Sequence, residues 1–248
     1  MSKPRHLTRA PLREALIDIQ FDPPTPLEKV REFRPSNAER FGTSRDIWQA
    51  SIGMQFAEDG ASRTSADSVL VGKRLDATNA PHVVQFRKDG FTFSRLYPYD
   101  SWPALREPAI ALWREFAAAA GVLATTRIAL RYINELKLPL PLRDFADYLT
   151  APPQVPSSLP QGLAGFLQRT VIVNQASDNV AIVTQAMEET PASSSPSGIT
   201  VVLDIDAFYQ KRLSVSDERF ARVLEDLHAF KNAIFFEYVT DRALELFE

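Results

Sequence analysis

The chain has 248 residues, 45% of them apolar and 24% charged, with 28 basic against 31 acidic side chains and a net charge of −3. That length fits one large domain or two closely joined small ones. It buries roughly 70–75% of its unfolded surface, enough to hold a core without metal or disulfide. The absence of cysteine excludes disulfide staples, Cys-ligated zinc and a cysteine nucleophile; the charge balance argues against nucleic acid, whose binders carry a basic excess, and against anionic membranes.

Met1 to Ala10 carries basic residues with no apolar run behind them, so it does not read as a signal peptide. Leu12 to Phe21 alternates and is rich in Ile, which predicts a strand. Pro23-Pro24-Thr25-Pro26 stops it, and Leu27, Val30 and Phe33 then give a short helical face ended by Pro35. Ile47 to Ala57 and Val69 to Leu75 read as strands joined by a polar loop from Glu58-Asp59-Gly60 to Asp67. His82 to Arg87 and Phe91 to Leu96 flank Asp89-Gly90, a dipeptide that favours a hairpin turn or a glycine bulge. Ser101 stands as N-cap before Trp102, Leu105, Ala109, Leu112, Trp113 and Phe116 at helical spacing. Pro108 should kink this helix or mark its start, and Gly121 suits its end.

Thr126 to Leu138 predicts a long strand, followed by Pro139-Leu140-Pro141 and a short helix over Arg143 to Leu149. Ala151 to Gly162 holds four prolines and reads as an extended loop. Phe166 to Ala176 and Asn179 to Met187 form a hairpin across Ser177-Asp178, Thr190 to Gly198 is a loop, and Ile199 to Phe208 is a strand. Ser216 is read as the cap of a helix starting at Asp217-Glu218. Phe220, Val223, Leu224, Leu227, Phe230, Ile234 and Tyr238 are its buried stripe, and Thr240-Asp241 caps a last turn carrying Leu244 and Phe247.

The two halves follow one plan. Arg13-Glu14-Ala15-Leu16-Ile17-Asp18-Ile19-Gln20 reads against Arg127-Ile128-Ala129-Leu130-Arg131-Tyr132-Ile133-Asn134 at an offset of 114. Pro24-Thr25-Pro26-Leu27 meets Pro139-Leu140-Pro141-Leu142 at 115, as Phe91, Phe93 and Ser101 meet Asp206, Phe208 and Ser216. Each half reads as strand, short helix, antiparallel strands and long helix. The expectation is an internally duplicated α+β fold, residues 1–122 and 123–248. It would have antiparallel sheet, in one curved piece or two, with helices on one face and a groove at a pseudo-twofold axis.

Several segments carry a family resemblance. Pro11-Leu12-Arg13-Glu14-Ala15, Val84-Gln85-Phe86-Arg87-Lys88-Asp89-Gly90-Phe91 and Arg131-Tyr132-Ile133-Asn134 are three of them. Leu227-His228, Lys231-Asn232, Phe236-Glu237 and Thr240 complete the set. Together they resemble a sporadically distributed, functionally uncharacterised bacterial family with a P-L-x-E-A opening and a C-terminal L-H-x-x-x-N…F-E-x-x-T signature. Phe93-Ser94-Arg95-Leu96 departs from the N-W-R usual there. The resemblance spans nearly the whole chain and implies a fold unit, with no activity to carry over. Each half also resembles the unit of the secretion chaperone SecB, a likeness of fold alone.

Six residues are candidate binding positions. Asp204 and Asp206 point to one face of a strand; they read as a divalent-metal or acid–base pair, or as a solvated strand face, and the second reading is adopted. His228 and Asn232 lie one turn apart on a helix, with Glu225 placed to orient the imidazole for base chemistry; the alternative is a polar contact to the neighbouring half. Arg131, with Asn134 in the same strand, is a carboxylate or phosphate clamp or the partner of Asp18 or Glu14. Three histidines leave no multi-histidine metal centre. Nucleophile-elbow, P-loop and dinucleotide motifs are absent, and Ser193-Ser194-Ser195 reads as loop composition. A cytoplasmic, non-enzymatic binding or assembly protein is expected, an adaptor or chaperone-like subunit that meets another protein or itself, without metal or cofactor. A small-ligand-binding protein with its pocket between the halves, or an enzyme using Asp204, Asp206, Arg131 and His228, are the alternatives.

Overall fold

The computed structural model describes residue 5 and residues 7–56, 62–187 and 198–248. His6, Glu58-Asp59-Gly60, Ser193-Ser194-Ser195 and most of the loop around that serine run lie outside the described residues.

Ten strands form one antiparallel sheet: β1 (Leu12–Phe21), β2 (Phe41–Phe56), β3 (Ser62–Ala77), β4 (His82–Arg87), β5 (Gly90–Leu96), β6 (Ala124–Pro139), β7 (Leu167–Asn174), β8 (Asn179–Met187), β9 (Gly198–Tyr209) and β10 (Leu213–Ser214). The order is β2-β3-β4-β5-β1-β6-β9-β8-β7, with β10 beside β6. The described residues also form four α-helices, giving an α+β fold: α1 (Leu27–Glu32), α2 (Trp102–Ala120), α3 (Arg219–Tyr238) and α4 (Asp241–Glu245). Among the described residues no helix is long and apolar enough to cross a membrane.

β1 and β6 meet at the middle of the sheet, Ile17 opposite Leu130 and Ile19 opposite Ile128. Alternation along a strand then divides the sheet into two faces. Ile17, Ile19, Phe91, Phe93, Ile128, Leu130 and Ile205 are buried on one. On this face Phe21 and Phe91 touch Trp113 of α2, and Tyr132 touches Lys231 of α3, so both long helices cover it. Asp18, Thr92, Arg127, Arg131, Asp204 and Asp206 occupy the other.

Several sequence expectations are corrected. β3 begins at Ser62, inside the segment read as a loop, because residues 62–68 pair along β2. The helix read over Arg143–Leu149 is only a 3-10 turn, Phe145–Asp147, opened by Asp144 accepting from the Ala146 amide. Ser216 does not cap α3; that helix starts at Arg219, whose amide is accepted by Asp217. α2 starts at Trp102, where the Ser101 side chain accepts from the Ala104 amide, and runs through Pro108, so Pro108 does not mark its start. Gly121 ends it in the left-handed region at φ 76°, where glycine has no Cβ to strain.

Candidate functional site

The six candidate residues fall on opposite faces of the sheet. On the open face, Arg131 makes a two-pronged bond to Asp204, Nε to Oδ1 at 2.9 Å and Nη2 to Oδ2 at 2.6 Å. Arg127 Nη2 donates to both Asp206 oxygens, at 2.9 and 2.7 Å, and its Nη1 reaches Asp18 at 3.5 Å. Asp18 also accepts from Arg87 at 2.9 Å and from the Thr92 hydroxyl at 2.7 Å. The expected Arg131 contact with Asp18 or Glu14 is therefore replaced by Asp204, a neighbour across the β6–β9 ladder. The expected solvated acidic face is replaced by an ion-pair row in which Asp204 and Asp206 side chains are only 16% and 23% exposed. Burial raises the Asp206 pKa despite the opposing pull of Arg127. These carboxylates have their lone pairs committed to guanidinium groups. Among the described residues no group of three or more acidic or histidine side chains could hold a metal ion.

The other three candidates, Asn134, His228 and Asn232, line a cavity of about 300 Å³ on the helix-covered face. Its walls come from both parts of the chain. The segment entering β1 contributes Pro11 and Leu12, and the β5–α2 connection contributes Tyr99, Asp100 and Trp102. β6 contributes Tyr132 with Asn134, β9 Ile205, and α3 Lys231, Phe235 and Phe236 beside the two polar candidates. Arg95 holds the connection in place by donating to the Pro98 carbonyl at 3.2 Å and pairing with Asp100.

His228 lies flat on Trp102, ring centroids 4.5 Å apart and planes 7° from parallel. Asn232 Nδ2 stands 3.4 Å from His228 Nε2. Glu225 does not orient the imidazole, as the sequence suggested. It accepts from Trp102 Nε1 at 3.0 Å and pairs with Arg106. Burial opposes its ionisation, but those two donors outweigh it and hold its pKa below the ordinary value. Burial and the nearby Lys231 and Arg106 charges push His228 down to about 4, so its imidazole is neutral at physiological pH. Asn134 is turned into the sheet, where Nδ2 donates to the Leu203 carbonyl at 3.0 Å.

Lys231 is the residue that sequence reading passed over. It is 7% exposed, and its Nζ stands 3.5 Å from the Tyr132 ring centroid. No described residue gives it a hydrogen bond or ion pair. Burial alone lowers its pKa to about 7. The Tyr132 hydroxyl is 3.1 Å from the Tyr99 hydroxyl, and burial raises both phenols. A signal was present in the sequence: Lys231 falls between Leu227 and Ile234 on the buried stripe of α3, where an apolar residue belongs.

No family model matches the chain, and no curated protein matches it.

Proposed function

We propose that the protein binds a small organic anion in the cavity lined by Lys231, Tyr132 and Trp102, between two duplicated halves, residues 1–122 and 123–248. The carrying observation is Lys231: a cation buried against a cavity without an anionic partner is costly, and a ligand carboxylate or phosphate removes that cost. The aromatic walls suit an apolar ligand body, and about 300 Å³ is at the small end of ligand pockets.

The strand order supports a pseudo-twofold between β1 and β6. Outward from β1 come β5, β4 and β3; outward from β6 come β9, β8 and β7. Each series is followed in the chain by a long helix. The family resemblance is retained on a further ground. Pro11, Leu12, Tyr132, Asn134, His228, Lys231, Asn232 and Phe236 come from three of the resembling segments and all line the cavity.

Titration with small carboxylates and phosphates, followed by calorimetry and thermal shift, tests the reading. Binding to the wild type that is lost in Lys231→Met is the expected result; equal binding by the variant would refute it. A second reading, self-association or assembly with another protein, is favoured by exposed apolar side chains on the outer strands, Trp48 and Ile52 on β2 and Val171 and Val173 on β7. A monomer at all concentrations in light scattering would remove self-association.

A further inference from the structure

We infer that Lys231 captures small carbonyl compounds, 2-oxo acids foremost, as an imine within this cavity. The inference rests on the binding reading above and adds the chemistry of the ligand.

A lysine becomes a carbonyl nucleophile when its amine is desolvated, free of carboxylates and open to a ligand. Lys231 meets all three conditions: it is 7% exposed, has no described ion pair, and lines the cavity. The second buried lysine supplies the contrast. Lys73 is 5% exposed, but its Nζ donates to the Phe33 and Arg31 carbonyls and stands outside the cavity. Burial first, then the Arg34 charge, lower its pKa to about 8. Desolvation therefore acts on both lysines, and of the two it is Lys231 that lines this cavity.

The step balances without a co-reactant. The Lys231 ammonium releases one proton to solvent, and its nitrogen lone pair forms the C–N bond as the carbonyl π pair moves to oxygen. That oxygen takes back one proton from solvent and one from the nitrogen and leaves as water, while the nitrogen pair closes the C=N bond, giving a protonated imine with no net gain or loss of protons. A 2-oxo acid keeps its carboxylate next to the new cation, which answers the missing counter-ion. With a pKa of about 7, the neutral fraction of this amine at pH 7 is about a thousandfold that of an exposed lysine.

The test is reductive trapping. Wild-type protein is incubated at pH 7 with pyruvate or phenylpyruvate and cyanoborohydride, and modified lysines are mapped by peptide mass. The expected result is one adduct at Lys231, heavier by the mass of the acid less one oxygen, with Lys73 unmodified. Labelling spread over surface lysines with none at Lys231 overturns the inference. Lactate and phenyllactate, which lack the carbonyl, separate the two readings by thermal shift. Stabilisation by these hydroxy acids without a Lys231 adduct removes the imine and leaves anion binding in place. No stabilisation and no adduct overturns both. Lys231→Arg, which retains the charge, is expected to keep the thermal shift and lose the adduct.

Discussion

Lys231 Nζ rests over the Tyr132 ring at 3.5 Å from its centroid, and this contact does not offset the burial of the charge. A desolvated cation–ring contact contributes about 2 kcal/mol. The fall in pKa from 10.5 to about 7 corresponds to a penalty on the order of 5 kcal/mol. Even a buried ion pair can often be replaced by apolar side chains of similar volume at no loss or with a gain of about 1–4 kcal/mol, and an unpaired charge has less attraction to lose. Lys231→Met is therefore expected to raise the melting temperature by several degrees, at about 2–4 °C per kcal/mol for a chain this size. The folded-state pKa is depressed, so between about pH 7 and 10.5 the unfolded chain binds more protons and stability rises with pH. That rise should be smaller in the methionine variant. A lower melting temperature at pH 7 would show that the lysine is a structural element and would weaken the ligand reading.

His228 is expected to contribute to the acid limb of the stability curve. Its folded pKa of about 4 lies below the ordinary 6.5. As pH falls through that window the unfolded chain gains a proton that the native imidazole does not, and stability is lost. Lys231 and Arg106 repel a proton there, while Glu225 attracts one. Because the imidazole stacks on Trp102, tryptophan fluorescence can follow the transition. His228→Asn is expected to flatten urea-unfolding free energy between about pH 6.5 and 4. An unchanged slope would place the acid sensitivity elsewhere.

The sequence specified the sheet better than it specified the site. Alternation in Leu12–Phe21 and an apolar stripe on α3 can be read from one local segment: β1 spans those residues, and Phe220, Leu224, Leu227 and Ile234 of the stripe are buried, while Val223, Phe230 and Tyr238 are only half-buried. Arg131 was different. Its partner depends on which strand lies on each side of β6, and β6 has β1 on one side and β9 on the other. Single-strand patterning carries no information on that choice. Glu225 went to Trp102 and Arg106 because α2 packs beside α3, again a long-range fact. Lys231 was within reach, as the one lysine on a buried stripe, but a stripe is read by its apolar members and the exception was overlooked.

Arg127 is the keystone of the open-face row. It is 16% exposed and bridges Asp18 and Asp206, themselves 15% and 23% exposed. Removing it strips Asp206 of its guanidinium partner, while Asp18 keeps Arg87 and Thr92; breaking a buried pair costs about 3–5 kcal/mol when burial is complete. Arg127→Met should cost somewhat less, near 2–3 kcal/mol, because solvent reaches part of the row. Arg131 is 45% exposed, and Arg131→Met should cost about 1 kcal/mol or less. Equal losses in the two variants, measured by urea unfolding, would contradict this ordering. Because arginines already occupy the carboxylates, added Mg²⁺ should leave the wild-type melting temperature unchanged.

Gly72 marks a tight passage between β3 and β4. A Cβ built there would lie 2.3 Å from the Phe86 carbonyl oxygen and 2.9 Å from the Arg87 Cα, closer than any relaxed contact allows. Both obstacles are backbone on the neighbouring strand β4, so a side-chain rotation cannot relieve the clash. Gly72→Ala must push β3 away from β4 over Gly72–Asp76, loosening the ladder that joins the β2–β3 hairpin to the core. Overpacking of this kind costs about 1–3 kcal/mol. Gly162 provides the control, since a Cβ there meets nothing within 4 Å, and Ala at an unstrained loop glycine is neutral or stabilising by about 0.4–1 kcal/mol through the unfolded chain. The expected outcome is a clear drop in melting temperature for Gly72→Ala and none for Gly162→Ala. Hydrogen exchange should accelerate at the β3–β4 amides of the first variant and not at the β1–β6 seam. Exchange rising equally at both places would mean that the hairpin and the central strands unfold as one unit, and that Gly72 is not a local constraint.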